Sequence, residues 1–167
     1  GLKALTENVY EALGKLQLFT VRSVRDPAVT RFANTLKQWT GKATASVVYD
    51  SDVCLFTDES LFQMVKDKPN IALVATTTEG DVFGGYYTVA VTKQELFFND
   101  PDMFIFSFES HGRCETPRKF AVKEEKKEDA SVFFYKNSSD GWFVEFYGGS
   151  HGWFFLGNNK SKNTHCR

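Results

Sequence analysis

Two adjacent glycines, Gly84 and Gly85, interrupt the run GDVFGGYYTVAV, whose other residues are largely aromatic or β-branched. Bare backbone in such a run has two physical uses. It lets a ligand approach the main chain, or it lets a strand bend or be closely packed by another element. A phosphate-cradling glycine loop must hand directly to a helix, whose N-terminal N–H groups hold the anion. Here Gly85 leads into YYTVAV, which is strongly strand-forming, so the glycines read as architecture and no nucleotide loop is expected. Tyr86, Thr88 and Ala90 would face one way and Tyr87, Val89 and Val91 the other. Both faces can then be buried, as on the inner strand of a sandwich.

Most of the chain shares this period of two. NIALVATTTEGDVFGGYYTVAV reads as two strands joined at Glu79–Gly80, and SVFFYKNSSDGWFVEFYGG as a hairpin turning between Asn137 and Gly141. MFIFSFESHGR sets Phe104, Phe106 and Phe108 on one face against Ile105, Ser107 and Glu109 on the other. ASVVYD and WFFLG supply two more short strands. These strands follow one another without helices long enough for parallel crossovers, so the sheet is expected to be mainly antiparallel.

The period is helical nearer the start. LKALTENVYEALGKL places Leu2, Leu5, Val9, Ala12 and Leu13 on one stripe. DPAVTRFANTLKQWTG predicts a second helix, capped by Asp26, with Pro27 in its first turn, Gly41 at its end, and Val29, Phe32, Leu36 and Trp39 on its buried face. TDESLFQMVKD predicts a third, shorter helix capped by Thr57 or Asp58. The mixed-charge KEEKKED, Lys123 to Asp129, reads as a solvated loop.

At 167 residues, with 42% hydrophobic side chains, the chain can bury a core without a metal or disulfide staple. Seventeen Phe, six Tyr and three Trp tilt it toward β structure. A net charge of −1 argues against electrostatic nucleic-acid binding. Three widely spaced cysteines, Cys54, Cys114 and Cys166, are no disulfide framework and fit a reducing, intracellular and cytoplasmic setting. Leu2 to Leu16 are too polar for a secretory core, and no apolar run reaches the roughly 20 residues that span a bilayer. The sequons at Asn137 and Asn159 are read as chance matches. No linker or repeat divides the chain, which is expected to form one domain over 1–167: a helical part at 1–35 and a sandwich at 36–167.

Three motifs in combination carry a resemblance. Val48, Tyr49 and Asp50 form the first; Gly80, Val82, Phe83, Gly84, Gly85 and Tyr86 the second; Asp100, Pro101, Phe104, Phe106 and Ser107 the third. With the later GGSHGWFFLGNNKSKN, they resemble the TLDc domain shared by the oxidation-resistance proteins, roughly from Leu36 to Arg167. The resemblance implies a mainly β fold with some α: a two-sheet antiparallel β-sandwich flanked by two or three helices, mostly N-terminal. It also implies a role in oxidative-stress resistance and, in several members, contact with the vacuolar proton pump. No active site is generally accepted for the family. Such domains usually continue past the Asn/Ser loop into one or two further strands, so either the sandwich is cut short at Arg167 or its sheet closes differently.

The residues offer several chemistries to weigh. His111 and Cys114 have H-x-x-C spacing, and His165 adjoins Cys166, but adjacent side chains of an extended segment diverge and chelate zinc poorly. Asp50, Asp52, Asp58 and Glu59 gather near one another, yet Leu55 and Leu61 hold the glycine and glutamate positions of an EF-hand. His111 and His151 are candidate bases beside Ser110 and Ser150, without a nucleophile elbow leading into a helix. Cys114, next to Arg113 and near Arg118, is the candidate redox thiol; Cys54, in an apolar run, reads as core.

The expectation is therefore a non-catalytic protein-interaction domain with no cofactor or metal. Its partner would be a protein, a proton-pump subunit by resemblance, with no membrane insertion. The loops Ser110 to Arg113 and Gly148 to Gly152 are candidate binding surfaces. The alternative is a thiol-based antioxidant or small enzyme acting through Cys114 or His111.

Overall fold

Every pairing among the described strands is antiparallel. The computed structural model describes residues 2–6, 27–149 and 152–157. The elements in chain order are β1 (Leu2–Thr6), α1 (Pro27–Thr40), β2 (Ser46–Asp50), α2 (Asp58–Val65), β3 (Ile71–Thr76), β4 (Val82–Tyr87), β5 (Phe97–Asn99), β6 (Phe104–Glu109), β7 (Arg118–Ala121), β8 (Ala130–Phe134), β9 (Trp142–Gly148) and β10 (Gly152–Gly157). They make a six-stranded sheet, β2-β1-β3-β4-β6-β7, and a four-stranded sheet, β10-β9-β8-β5. The expected sandwich is present.

Alternation sorts side chains between two apolar layers. Ile71, Leu73 and Tyr87 face inward and meet Val132, Phe134, Val144 and Phe146 of the second sheet. Ala72, Val74, Tyr86, Phe104, Phe106 and Phe108 face outward under Phe32 and Leu36 of α1. Phe32 stacks on Phe108 with centroids 4.5 Å apart, and Trp39 stacks on Phe108 at 5.5 Å. The strand face anticipated for the three phenylalanines of β6 is the one that α1 covers.

Local chemistry sets the boundaries. Gly41 ends α1 at φ +71°, its N–H donating to the Lys37 carbonyl at 2.9 Å. Thr57 caps α2, its hydroxyl accepting from Ser60 N–H at 3.1 Å, with Asp58 and Glu59 in the first turn. α2 touches β2 of one sheet and β9 of the other, and sends Leu61, Phe62 and Val65 into the inter-sheet core. The β3–β4 turn closes with Gly80 at φ +90° donating to the Thr77 carbonyl at 3.1 Å.

The glycine pair is explained by this layering. A Cβ on Gly84 would overlap the Leu73 carbonyl oxygen and come within 2.8 Å of the Phe106 ring. One on Gly85 would overlap the Phe146 ring from the opposite sheet, with ring carbons at 2.7 Å. Backbone packs against backbone on one side and against an aromatic ring on the other.

The first helix expected from LKALTENVYEALGKL is corrected. Its opening residues, Leu2–Thr6, form β1, hydrogen-bonded between β2 and β3 with Leu2 opposite Ala75 and Lys3 opposite Asp50. Backbone pairing on both sides of Leu2–Thr6 outweighs the local helical pattern there. Residues 7–16 of that segment lie outside the described residues, as do the Asp26 cap and the Val29 side chain. The alternation after Gly85 also stops early. β4 ends at Tyr87, because Thr88 turns its N–H and hydroxyl to the Asp100 carboxylate. Strands β5 and β7 were not anticipated; they are only three and four residues long.

Two measurements test this packing. Gly85→Ala should destabilise the domain by about 1–3 kcal/mol through overpacking, and a second change, Phe146→Leu, should recover part of the loss. Gly84→Ala should cost at least as much and gain nothing from Phe146→Leu, because its obstacle is backbone; urea unfolding midpoints read both. Tyr87 has a fully buried hydroxyl with no hydrogen-bond partner among the described residues. Tyr87→Phe should therefore leave the melting temperature unchanged or raise it, since an unmet buried donor costs about 1–3 kcal/mol.

Candidate functional site

The β6–β7 loop folds onto the turn between β3 and β4 through one carboxylate. Asp81, at the end of that turn and 6% exposed, lies 2.8 Å from His111 Nδ1 and pairs with the Arg113 guanidinium. Those contacts, Arg113 foremost and then His111, hold its carboxyl below the ordinary range. The loop is tight: His111 adopts φ +49° and Gly112 φ +81°. Glu109 Oε1 accepts from the N–H groups of Ser110 and His111, each at 3.0 Å, and these bonds hold its carboxyl low as well. Arg31 of α1 pairs with Glu109 at 3.5 Å, tying the loop to the helix layer.

The nucleophiles expected here are engaged in the same loop. Ser110 Oγ donates to the Cys114 carbonyl at 3.1 Å and accepts from the Cys114 N–H at 3.1 Å. The Cys114 thiol donates to the same oxygen at 3.3 Å. Cys114 is half-buried, while Arg113 is turned to Asp81 and Arg118 lies over the Phe120 ring. So His111, Ser110 and Cys114 do converge, as an interlocked turn. Asp81 was not among the residues singled out from the sequence; the usable signal was an acidic residue closing a glycine turn opposite an arginine-bearing loop.

The remaining candidates are dispersed. Asp50 pairs with Lys3 at 2.7 Å and caps its own turn by accepting from Asp52 N–H; Asp58 accepts from the Asn137 N–H. Among the described residues, no three His, Cys, Asp or Glu side chains are grouped to hold a metal ion. Cys54 is half-buried and packs against the inter-sheet core. Gly149, at φ +116°, rests against the Lys126 side chain. Ser150, His151, His165 and Cys166 lie outside the described residues.

The motif residues instead fasten loops. Asp100, fully buried, accepts from Thr88 Oγ1 at 2.7 Å and from Asp102 N–H at 3.2 Å, joining the end of β4 to the turn before β6. Tyr86 donates to Asn70 Oδ1 at 3.0 Å. Tyr86, Pro101 and Phe104 line an open groove of about 490 Å³ beside Trp39, Lys119 and Lys127. Tyr49, 1% exposed and with its hydroxyl pushed up to about 12, mainly by burial, donates to the Leu55 carbonyl at 3.0 Å. That bond pins the β2–α2 loop, which carries Val53, Leu55 and Phe56.

Those three side chains are exposed. Leu55 is 76% accessible, Val53 61% and Phe56 40%, with Met64 of α2 at 41%. Four of the six exposed large apolar residues among the described ones thus fall between Val53 and Met64. The sequence signal was VCLF, an apolar run between Asp52 and Thr57 that the alternation did not absorb into a strand.

A helix-backed antiparallel sandwich with its motif residues spent on bracing loops defines a β-sandwich module with exposed apolar loops. The chain belongs to the TLDc domain family, whose model matches residues 24–159, α1 included. No curated protein and no solved structure matches it. Among the described residues, no helix is long and apolar enough to cross a membrane.

The Asp81 contacts carry a pH signature. A carboxyl held low in the fold contributes stability above its unfolded value near 4, and loses it as pH falls through the folded value. Asp81→Asn should lower the melting temperature at pH 7, and the gap to the unmodified chain should narrow progressively below about pH 4. Melting curves of the two proteins between neutral and acid pH measure it.

Proposed function

We propose that this chain is a non-catalytic protein-interaction domain working in oxidative-stress resistance, with a subunit of the vacuolar proton pump as its partner. The carrying observation is the exposed apolar group of Val53, Leu55 and Phe56, on a loop that Tyr49 holds from beneath, with Met64 of α2. Large apolar side chains kept in solvent by an ordered loop cost solubility, and a contact surface accounts for them. The stress and pump roles rest on membership of the TLDc family.

The rival is thiol chemistry through Cys114 with His111 as its base. The geometry favours the docking reading, because the Cys114 thiol and the Ser110 hydroxyl bond to each other and His111 is drawn to Asp81. Peroxide consumption by the purified chain, abolished in Cys114→Ser, would shift the assignment to the antioxidant.

Binding of the purified chain to the isolated soluble sector of the pump, followed by biolayer interferometry, tests the proposal. Leu55→Glu should weaken binding at least about tenfold while shifting stability by no more than about 0.5 kcal/mol, as at other exposed sites. Tyr49→Phe should weaken it less, by freeing the loop. No binding by the unmodified chain, or equal binding by Leu55→Glu, would overturn the reading.

A further inference from the structure

The outward face of the four-stranded sheet carries a feature that loop bracing does not explain. Register sets Phe97 of β5 opposite Phe133 of β8, and Phe133 opposite Glu145 of β9. Their rings run on as a ladder: Tyr147 to Phe97 at 5.6 Å, Phe97 to Phe133 at 4.6 Å, Phe133 to Tyr135 at 4.7 Å, and Tyr135 to Trp142 at 5.6 Å. Phe97 is 54% exposed, and the adjacent Leu96 50%. Sunk among them is a carboxylate, Glu145, only 6% exposed.

Among the described residues Glu145 makes a single side-chain hydrogen bond. Its Oε2 accepts from the Tyr135 hydroxyl at 2.6 Å, while Oε1 has no hydrogen-bond partner among the described residues. No cation pairs with it there either. Lys127 is taken by Glu124, and the Lys126 stem lies against Gly149 past the end of β9. The cation–π pairs among the described residues belong to α1 and the six-stranded sheet: Arg31 on Phe32, Arg118 on Phe120, Lys119 on Phe104. A second acid stands beside the ladder: Glu95 accepts from the Lys136 N–H at 2.5 Å, and its own N–H donates to the Phe134 carbonyl. Burial pushes the Glu145 carboxyl above its ordinary value, against the Tyr135 bond. A buried carboxylate of this kind gains from an arriving positive charge.

Ring faces and a carboxylate together select one chemistry. A planar guanidinium can stack on aromatic faces and still present N–H groups edge-on to a carboxylate, which a compact ammonium does less well. We propose that the outer face of the four-stranded sheet docks an arginine-bearing segment of a partner protein, its guanidinium lying on the Phe97–Phe133–Tyr135 ladder and pairing with Glu145. This rests on the reading of the chain as an interaction domain but uses a surface other than the Val53–Met64 patch.

The probe is a capped pentapeptide, Gly-Arg-Gly-Arg-Gly, titrated into the full chain at about 0.15 M ionic strength and followed by NMR. Versions with lysine, or with uncharged citrulline, replacing arginine serve as comparisons. Saturable shifts confined to β5, β8 and β9 are expected, with the citrulline peptide failing to saturate and the lysine peptide at least about threefold weaker. Glu145→Gln keeps an acceptor for Tyr135 and removes the charge, and Phe97→Ala removes an exposed ring. Each should weaken arginine-peptide binding at least about fivefold with the fold intact by its amide spectrum. No saturation, equal binding of the lysine or citrulline peptide, shifts on other elements, or unchanged affinity in both variants would overturn the assignment. Because pump binding reads Leu55 and this titration reads Phe97 and Glu145, either reading can fail while the other stands.

Discussion

Strand β4 runs through a space that admits no side chain at two consecutive positions. Gly84 lies against the carbonyl of the neighbouring strand and the Phe106 ring, and Gly85 against the Phe146 ring from across the sandwich. Stacked sheets ordinarily stand about 10 Å apart, with side chains filling the gap. Here one ring fills it against bare backbone. With Phe146 seated there, Tyr87 packs 6.3 Å from its ring and 5.9 Å from that of Phe134. On the other face, Phe106 continues the aromatic row that α1 covers. Both layers take their spacing from this strand.

Much of that architecture was legible in the sequence, because alternation is a local property. The three phenylalanines of β6, the hairpins at Gly80 and Gly141, and the Thr57 cap each depend on residues a few positions apart. The N-terminal segment shows where locality fails. Leu2 to Leu13 has a helical stripe, yet Leu2–Thr6 becomes a strand because β2 and β3, more than forty residues on, offer it backbone partners on both edges. Strands β5 and β7 are too short to show a period at all.

The site was less legible than the fold, and for a related reason. His111, Ser110 and Cys114 were visible as reactive types, but what they do is decided by Asp81, thirty residues upstream of His111 in another turn. Motif residues behave alike: Tyr49 reaches Leu55, and Asp100 reaches Thr88. Each is a buried polar group bonded to a loop or strand end, so it sets the position of that backbone. Glu145 escaped notice because a lone acid in an alternating strand looks solvent-facing; only the surrounding rings reveal it as covered.

The placement of β1 also bears on how the chain reaches its native state. Its backbone joins Leu2 to Ala75, so the β1–β3 seam of the larger sheet closes a loop of more than seventy residues. Closure entropy rises only slowly with such length, but the search for a non-local register slows folding. Until that seam closes, β2 and β3 present unpaired edges toward one another. During synthesis β1 emerges well before the β3–β4 hairpin that it pairs with, and intermolecular strand pairing competes in that interval.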